Sequence, residues 1–166
     1  MRTIKHIIVH HSDSKWGDGE VICRWHMNPK PNGNGWSKPG YHVVILNGFP
    51  NYNSLSQNKP VASAKARVDR ILSEAIPSNG VKYGNSDALN VCLIGNFDIQ
   101  PVPDFQLDKL VELLVFWCKK YKLDPMKANR GHGERQMEIG KEGYHKTCPG
   151  KNLDMKKLRL DVAAKL

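Results

Sequence analysis

IIVHHSDS, residues 7–14, is the stretch on which the fold of this 166-residue chain turns. Three β-branched apolar residues, then two histidines and a small polar cluster, read as a strand that leaves a core and stops at a turn. A histidine at such a point has two readings. It is either a partly buried imidazole satisfied by backbone, or a functional group where a strand opens onto a cleft.

Working outward, LNVCLIGNF (residues 89–97) is an almost unbroken apolar run, which suits a central strand buried on both faces. YHVVILNG (41–48) reads as a further strand ending at a glycine turn, with a hairpin partner expected within FPNYNSLSQ (49–57). Between the first two strands Asp18 caps a short helix carrying Val21, Ile22 and Trp25, and the Pro-, Gly- and Asn-dense stretch 28–40 is a loop. Val68, Ile71, Leu72 and Ala75 recur at helical spacing, so a helix is expected over about 63–76. The strongest helical pattern is DFQLDKLVELLVFWCKKYKL, with Leu107, Leu110, Leu113, Leu114, Trp117 and Cys118 on one stripe and Lys119, Lys120 and Lys122 where the helix dipole favours cations. Residues 129–150 read as irregular, and NLDMKKLRLDVAAKL as a closing amphipathic helix. Strands alternating with helices predict an α/β chain, a single domain over residues 1–166 with a central mixed β-sheet flanked by helices.

Bulk properties narrow the function. A formal net charge of +9 favours an anionic partner: nucleic acid, acidic lipid or a wall polymer. The basic residues are spread along the chain, and no zinc-finger, RNA-recognition or helix-turn-helix signature is present, so no nucleic acid is expected as partner. No apolar run approaches the roughly 18 residues of a membrane span. The N-terminus lacks the length and cleavage site of a signal peptide, so synthesis in a cytosol is expected. Four separated cysteines argue against a disulfide framework. Cys23, Cys92 and Cys118 fall in apolar patterns and read as small buried hydrophobes.

Later in the chain, GHGERQMEIGKEGYHKTCPG supplies His132 and Cys148 in a segment that reads as too polar for core. Imidazole and thiolate are ligands that zinc prefers, and three protein ligands with an open fourth position is a catalytic arrangement. Spacing alone does not single out this set. Tyr41 read by itself suits packing better than chemistry, Lys146 is an ordinary surface lysine, and Glu134 reads as a solvated loop carboxylate.

Taken together, VHHS, GYHVVI, the strand ending LIGNF, GHGE and KTCPG occur in the order and wording of the zinc-dependent N-acetylmuramoyl-L-alanine amidases. The chain resembles that amidase-2 and peptidoglycan-recognition-protein superfamily over nearly its whole length, and within it small phage endolysins of the coliphage lysozyme type. The resemblance implies zinc held by His10, His132 and Cys148, with Tyr41 and Lys146 as catalytic residues and peptidoglycan as substrate. His11 then points to the opposite face, as strand alternation requires. It implies a monomeric enzyme made in a host cytoplasm that acts on the periplasmic wall after membrane breach. His132 and Cys148 lie 16 positions apart, more than in compact members, so a loop is expected to bulge between them, and its His145 is an alternative third ligand or proton carrier. Some members bind peptidoglycan without cutting it, typically where the cysteine is replaced; here it is present. A cytosolic muropeptide-recycling amidase, a non-catalytic binding module and a basic nucleic-acid binder with a structural zinc are the rival readings.

Overall fold

The computed structural model describes residues 2–140 and 147–166. In chain order the elements are β1 (His6–His11), α1 (Gly19–Met27), β2 (Val43–Asn47), α2 (Tyr52–Ser56), a short 3-10 turn (Ala62–Ala64), β3 (Lys65–Arg70), β4 (Ala88–Leu93), α3 (Asp104–Tyr121), α4 (Pro125–Ala128), β5 (Asn129–Gly131), α5 (His132–Ile139) and α6 (Met155–Ala163). The strands form one mixed sheet in the order β3-β2-β4-β1-β5. β2, β4, β1 and β5 are parallel, and β3 adds an antiparallel edge.

Both faces of the sheet are covered, which is why β1 and β4 read as continuous apolar runs. On one face Ile7, Val9, Val91 and Leu93 pack with Leu110, Leu114 and Trp117 of α3 and Leu158 and Val162 of α6. On the other, Val44 and Leu46 meet Ile22 of α1, and Ile8 and Ala88 meet Ile139 of α5. Period-two alternation therefore sends Ile8 and His10 to the α1/α5 face. Val9 and His11 go to the α3 face, where Phe97 N–H donates to His11 Nδ1 at 3.0 Å.

Asp18 caps α1 as expected, its Oδ1 accepting from Val21 N–H at 2.8 Å. Several expectations are corrected. Residues 65–70 form β3 rather than a helix: KARVDR alternates, with Ala66 and Val68 half-buried between exposed Lys65, Arg67 and Arg70. Those charges sit on a sheet edge and discourage pairing with another chain. The hairpin partner of β2 is this strand, and FPNYNSLSQ instead contains α2, capped by Asn51. Segment 129–150 is not wholly irregular, since it holds β5 and α5, and Arg135 to Ile139 of the expected bulge are helical. Cys92 and Cys118 are buried, whereas Cys23 is only half-buried.

Candidate metal centre and cleft

In a largely parallel sheet, side chains for chemistry gather beyond the carboxyl ends of the strands. His10 is the penultimate residue of β1, and the β1–β5 register aligns Val9 with Gly131. That alignment places His132, the next residue after β5, beside His10, their ring centroids 4.7 Å apart. His132 is thus the first residue of a helix and buried, not part of a polar loop. Glu134 is likewise not simply solvated. Its Oε2 accepts from Gly131 N–H at 2.8 Å, and its carboxylate takes a two-pronged pair of bonds from Arg159 of α6 at 2.9 and 3.1 Å, fixing the start of α5.

Cys148 reaches the same point from the segment before α6. Gly133 N–H donates to Cys148 O at 2.9 Å, tying the cysteine backbone to the first turn of α5. Asp98 anchors both flanks, accepting from Thr147 Oγ1 at 2.7 Å and from Lys151 N–H at 3.0 Å, and the first of these bonds draws its carboxyl below the ordinary value. Gly150, at φ +101°, presses on Phe97: a Cβ would come 2.5 Å from its carbonyl carbon. Only glycine fits that approach. As a result one ligand-type atom from each of His10, His132 and Cys148 lies within 4.8 Å of the other two, with Cys148 Sγ 3.8 Å from His10 Nδ1.

Tyr41 stands over this group, its ring 4.9 Å from that of His10 and 5.1 Å from that of His26. Burial, then the neighbouring thiols of Cys92 and Cys148, push its phenol well above the ordinary value, so it stays protonated and can donate. Lys146 and His145 lie outside the described residues. The cleft holds about 380 Å³ and is lined by His26, Trp36, Tyr41, Asn79, Asp98 and Cys148, among others. Trp36 N–H donates to His26 O at 2.9 Å as loop 28–40 folds back on α1, leaving the indole 38% exposed against the His26 ring. His26 Nδ1 accepts from Gly40 N–H at 3.0 Å, and burial lowers its pKa to about 4, so it is neutral in the cleft. A larger hollow of about 800 Å³, among Arg2, Ile4, Glu74 and Tyr121, lies at the amino ends of the strands, away from these residues.

Two residues around the site, one in the cleft and one buried beneath it, escaped the sequence reading. His26 was hidden as one polar position on a short helix. Asn90, whose Oδ1 is 2.7 Å from His10 Nε2, was hidden as the single amide in an apolar strand. The chemistry of the donors decides which ion they fit. Two imidazoles and a thiol, converging from three elements with room on the cleft side, fit a zinc-type ion with an open position.

The family model for N-acetylmuramoyl-L-alanine amidase matches residues 1–151. No curated protein sequence matches the chain. Among solved structures it is similar to the N-acetylmuramoyl-L-alanine amidase LysC of Clostridium intestinale, at 19% identity and a TM-score of 0.73, over 98% of this chain and 87% of that one. An endolysin from a Thermus scotoductus bacteriophage is 23% identical with a TM-score of 0.69, over 98% and 86% of the two chains. Drosophila PGRP-LB is 18% identical with a TM-score of 0.65, over 92% and 78%.

Proposed function

The chain belongs to the N-acetylmuramoyl-L-alanine amidase family, and from that premise we propose that it hydrolyses the amide bond between N-acetylmuramic acid and L-alanine in peptidoglycan. The observation that carries the proposal is the convergence of His10, His132 and Cys148 at the strand ends beneath an open cleft. In this reading the three hold zinc, which when bound would acidify a water and polarise the scissile carbonyl.

The chain's own residues do the rest. Tyr41, protonated and placed over His10, donates a hydrogen bond to substrate at the reacting end of the cleft. Neutral His26 and the exposed face of Trp36 line the way in. Lys146, two residues before Cys148, is assigned to oxyanion stabilisation on the family motif. A net charge of +9 suits attraction to an anionic envelope, and the reading extends to a monomeric, single-domain phage endolysin made in a host cytoplasm and acting on the periplasmic wall after membrane breach. The intact His/His/Cys set favours an enzyme over a module that only binds peptidoglycan.

The test is turbidity loss of Gram-negative sacculi stripped of outer membrane, with wild type, with chelator, with chelator followed by zinc, and with Cys148→Ala, with products weighed by mass spectrometry. Zinc-restorable lysis that frees stem peptides from intact glycan is expected. A folded, zinc-loaded protein that binds sacculi without cutting them would move the assignment to the binding module, and cleavage confined to soluble muropeptides would move it to a recycling amidase.

A further inference from the structure

Asn90 lies on β4 beside β1, where Ile8 aligns with Asn90 and His10 with Cys92. Its side chain shares the His10 face, is fully buried, and reaches His10 from the next pleat. An amide can present either oxygen or nitrogen to an imidazole, so the direction of this 2.7 Å contact must come from the amide's other partners.

Those partners lie in the irregular segment between β3 and β4. Val81 N–H donates to Asn85 Oδ1 at 2.9 Å, which makes that oxygen an acceptor. Asn90 Nδ2 faces the same oxygen at 3.5 Å and donates to Ser78 Oγ at 2.8 Å. The nitrogen of the Asn90 amide is therefore turned to segment 78–85 and its oxygen to His10. The backbone leaves it no freedom to move, since Asn90 N–H donates to His42 Nδ1 at 2.9 Å and Asn90 O accepts from His42 N–H at 2.8 Å. Gly80 leaves the room: a Cβ there would lie 2.6 Å from Asn90 Oδ1 and 2.5 Å from Gly40 O.

An oxygen at 2.7 Å obliges His10 Nε2 to carry the proton. Nδ1, the nitrogen on the Cys148 side, then keeps its lone pair for a metal. We propose that Asn90 is a positioning residue that fixes the Nε2–H tautomer and the ring angle of His10, and that Ser78 and Asn85 set the direction of its amide. Segment 78–85, which forms one wall of the cleft through Asn79 and Gly80, is in this way wired to a candidate metal ligand. The proposal deepens the metal reading given above and rests on it, but the tautomer it fixes can be read in the metal-free protein.

The experiment has two arms. In the first, long-range proton–nitrogen correlation spectra of the metal-free wild type report the His10 tautomer directly; Nε2–H is expected, and Nδ1–H overturns the proposal. In the second, zinc affinity is measured by competition with a chromogenic chelator for wild type, Asn90→Leu and Asn90→Asp, alongside thermal melting of the metal-free proteins. Asn90→Leu is expected to lose about 10–100-fold in zinc affinity. Asn90→Asp, which keeps an acceptor towards His10, recovers most of that loss. Folded Asn90→Leu with wild-type zinc affinity overturns the positioning role while leaving the metal reading intact. A wild type that binds no zinc overturns the metal reading, and this proposal with it. Should Asn90→Leu not fold, the wild-type tautomer still decides.

Discussion

His10 stands on β1 and His132 directly after β5, side by side because of the register of these neighbouring strands, whereas Trp36, Ser78 and Asn79 ride on irregular segments held by scattered polar bonds. The strands beneath these histidines are sealed: Ile7, Ile8, Val9, Val91 and Leu93 are wholly buried between two helical layers. The wall segment 71–87 is held differently. Arg2 donates to the carbonyls of Glu74, Asn85 and Ala88 at 2.8 to 3.0 Å, and Glu74 in turn accepts from Trp117, Lys120 and Tyr121 of α3. Floor position thus follows from apolar burial over many residues, and wall position from a few polar anchors. The first should resist single changes of charge and pH, and the second should feel them.

The largest effect should come from removing one of the proposed ligands on the floor. His132→Ala is expected to lower turnover of sacculi by roughly 10³-fold or more and to abolish tight zinc binding, with the far-UV circular dichroism unchanged. Retained zinc affinity would show that the three donors do not act as one site. Ile7→Ala, on the face of β1 opposite His10, should instead lower unfolding free energy in urea by about 2–5 kcal/mol and leave zinc affinity near wild type.

Acid should come next. Burial lowers the pKa of both His26 and His42 to about 4 from 6.5. The unfolded chain then takes up more protons than the folded one between those values, so stability is full above pH 6.5 and is lost as pH falls towards 4. A loss of up to about 3 kcal/mol per histidine across that window is expected in urea titrations, with amide exchange rising first in the walls these histidines support. Exchange rising first in β1 and β4 would reverse the comparison.

The smallest effect concerns Glu74. Burial alone would raise its pKa, but the hydrogen bonds from Lys120, Tyr121 and Trp117 outweigh it and bring the value from 4.5 to about 2. Its contribution is present above pH 4.5 and lost as pH falls towards 2. With Lys120 open to solvent, Glu74→Gln should cost about 1–2 kcal/mol at neutral pH. The exchange change should centre on residues 71–87. A uniform change across the sheet would sink the idea that the wall has its own anchor.

What was legible follows the same division. β1, β4, α3 and the Asp18 cap were readable because burial period and capping are local signals carried by adjacent residues. Segment 63–76 was misread because two periods fit it: Val68, Ile71, Leu72 and Ala75 lie on a helical stripe, while KARVDR alternates. The open edge of β2 chose between them by supplying backbone partners for a strand. α5 was missed because HGERQMEI is weakly apolar, and what holds it is Glu134 meeting Gly131 N–H and Arg159. The second of these partners is 25 residues away and invisible to any local pattern.

Composition, periodicity and the motif words by themselves determined that this is an α/β chain with a central strand ending in His10, and they named His132 and Cys148 as its companions. They could do so because strand burial and motif wording are written along the chain. Tertiary structure alone decided that β3 is an edge strand, that His132 opens a helix, and that Asn90 meets His10 across 80 residues of sequence. Those outcomes depend on which backbone edge is left unpaired and which polar atom is left unsatisfied once the sheet has closed. Such demands exist only between segments brought together in space.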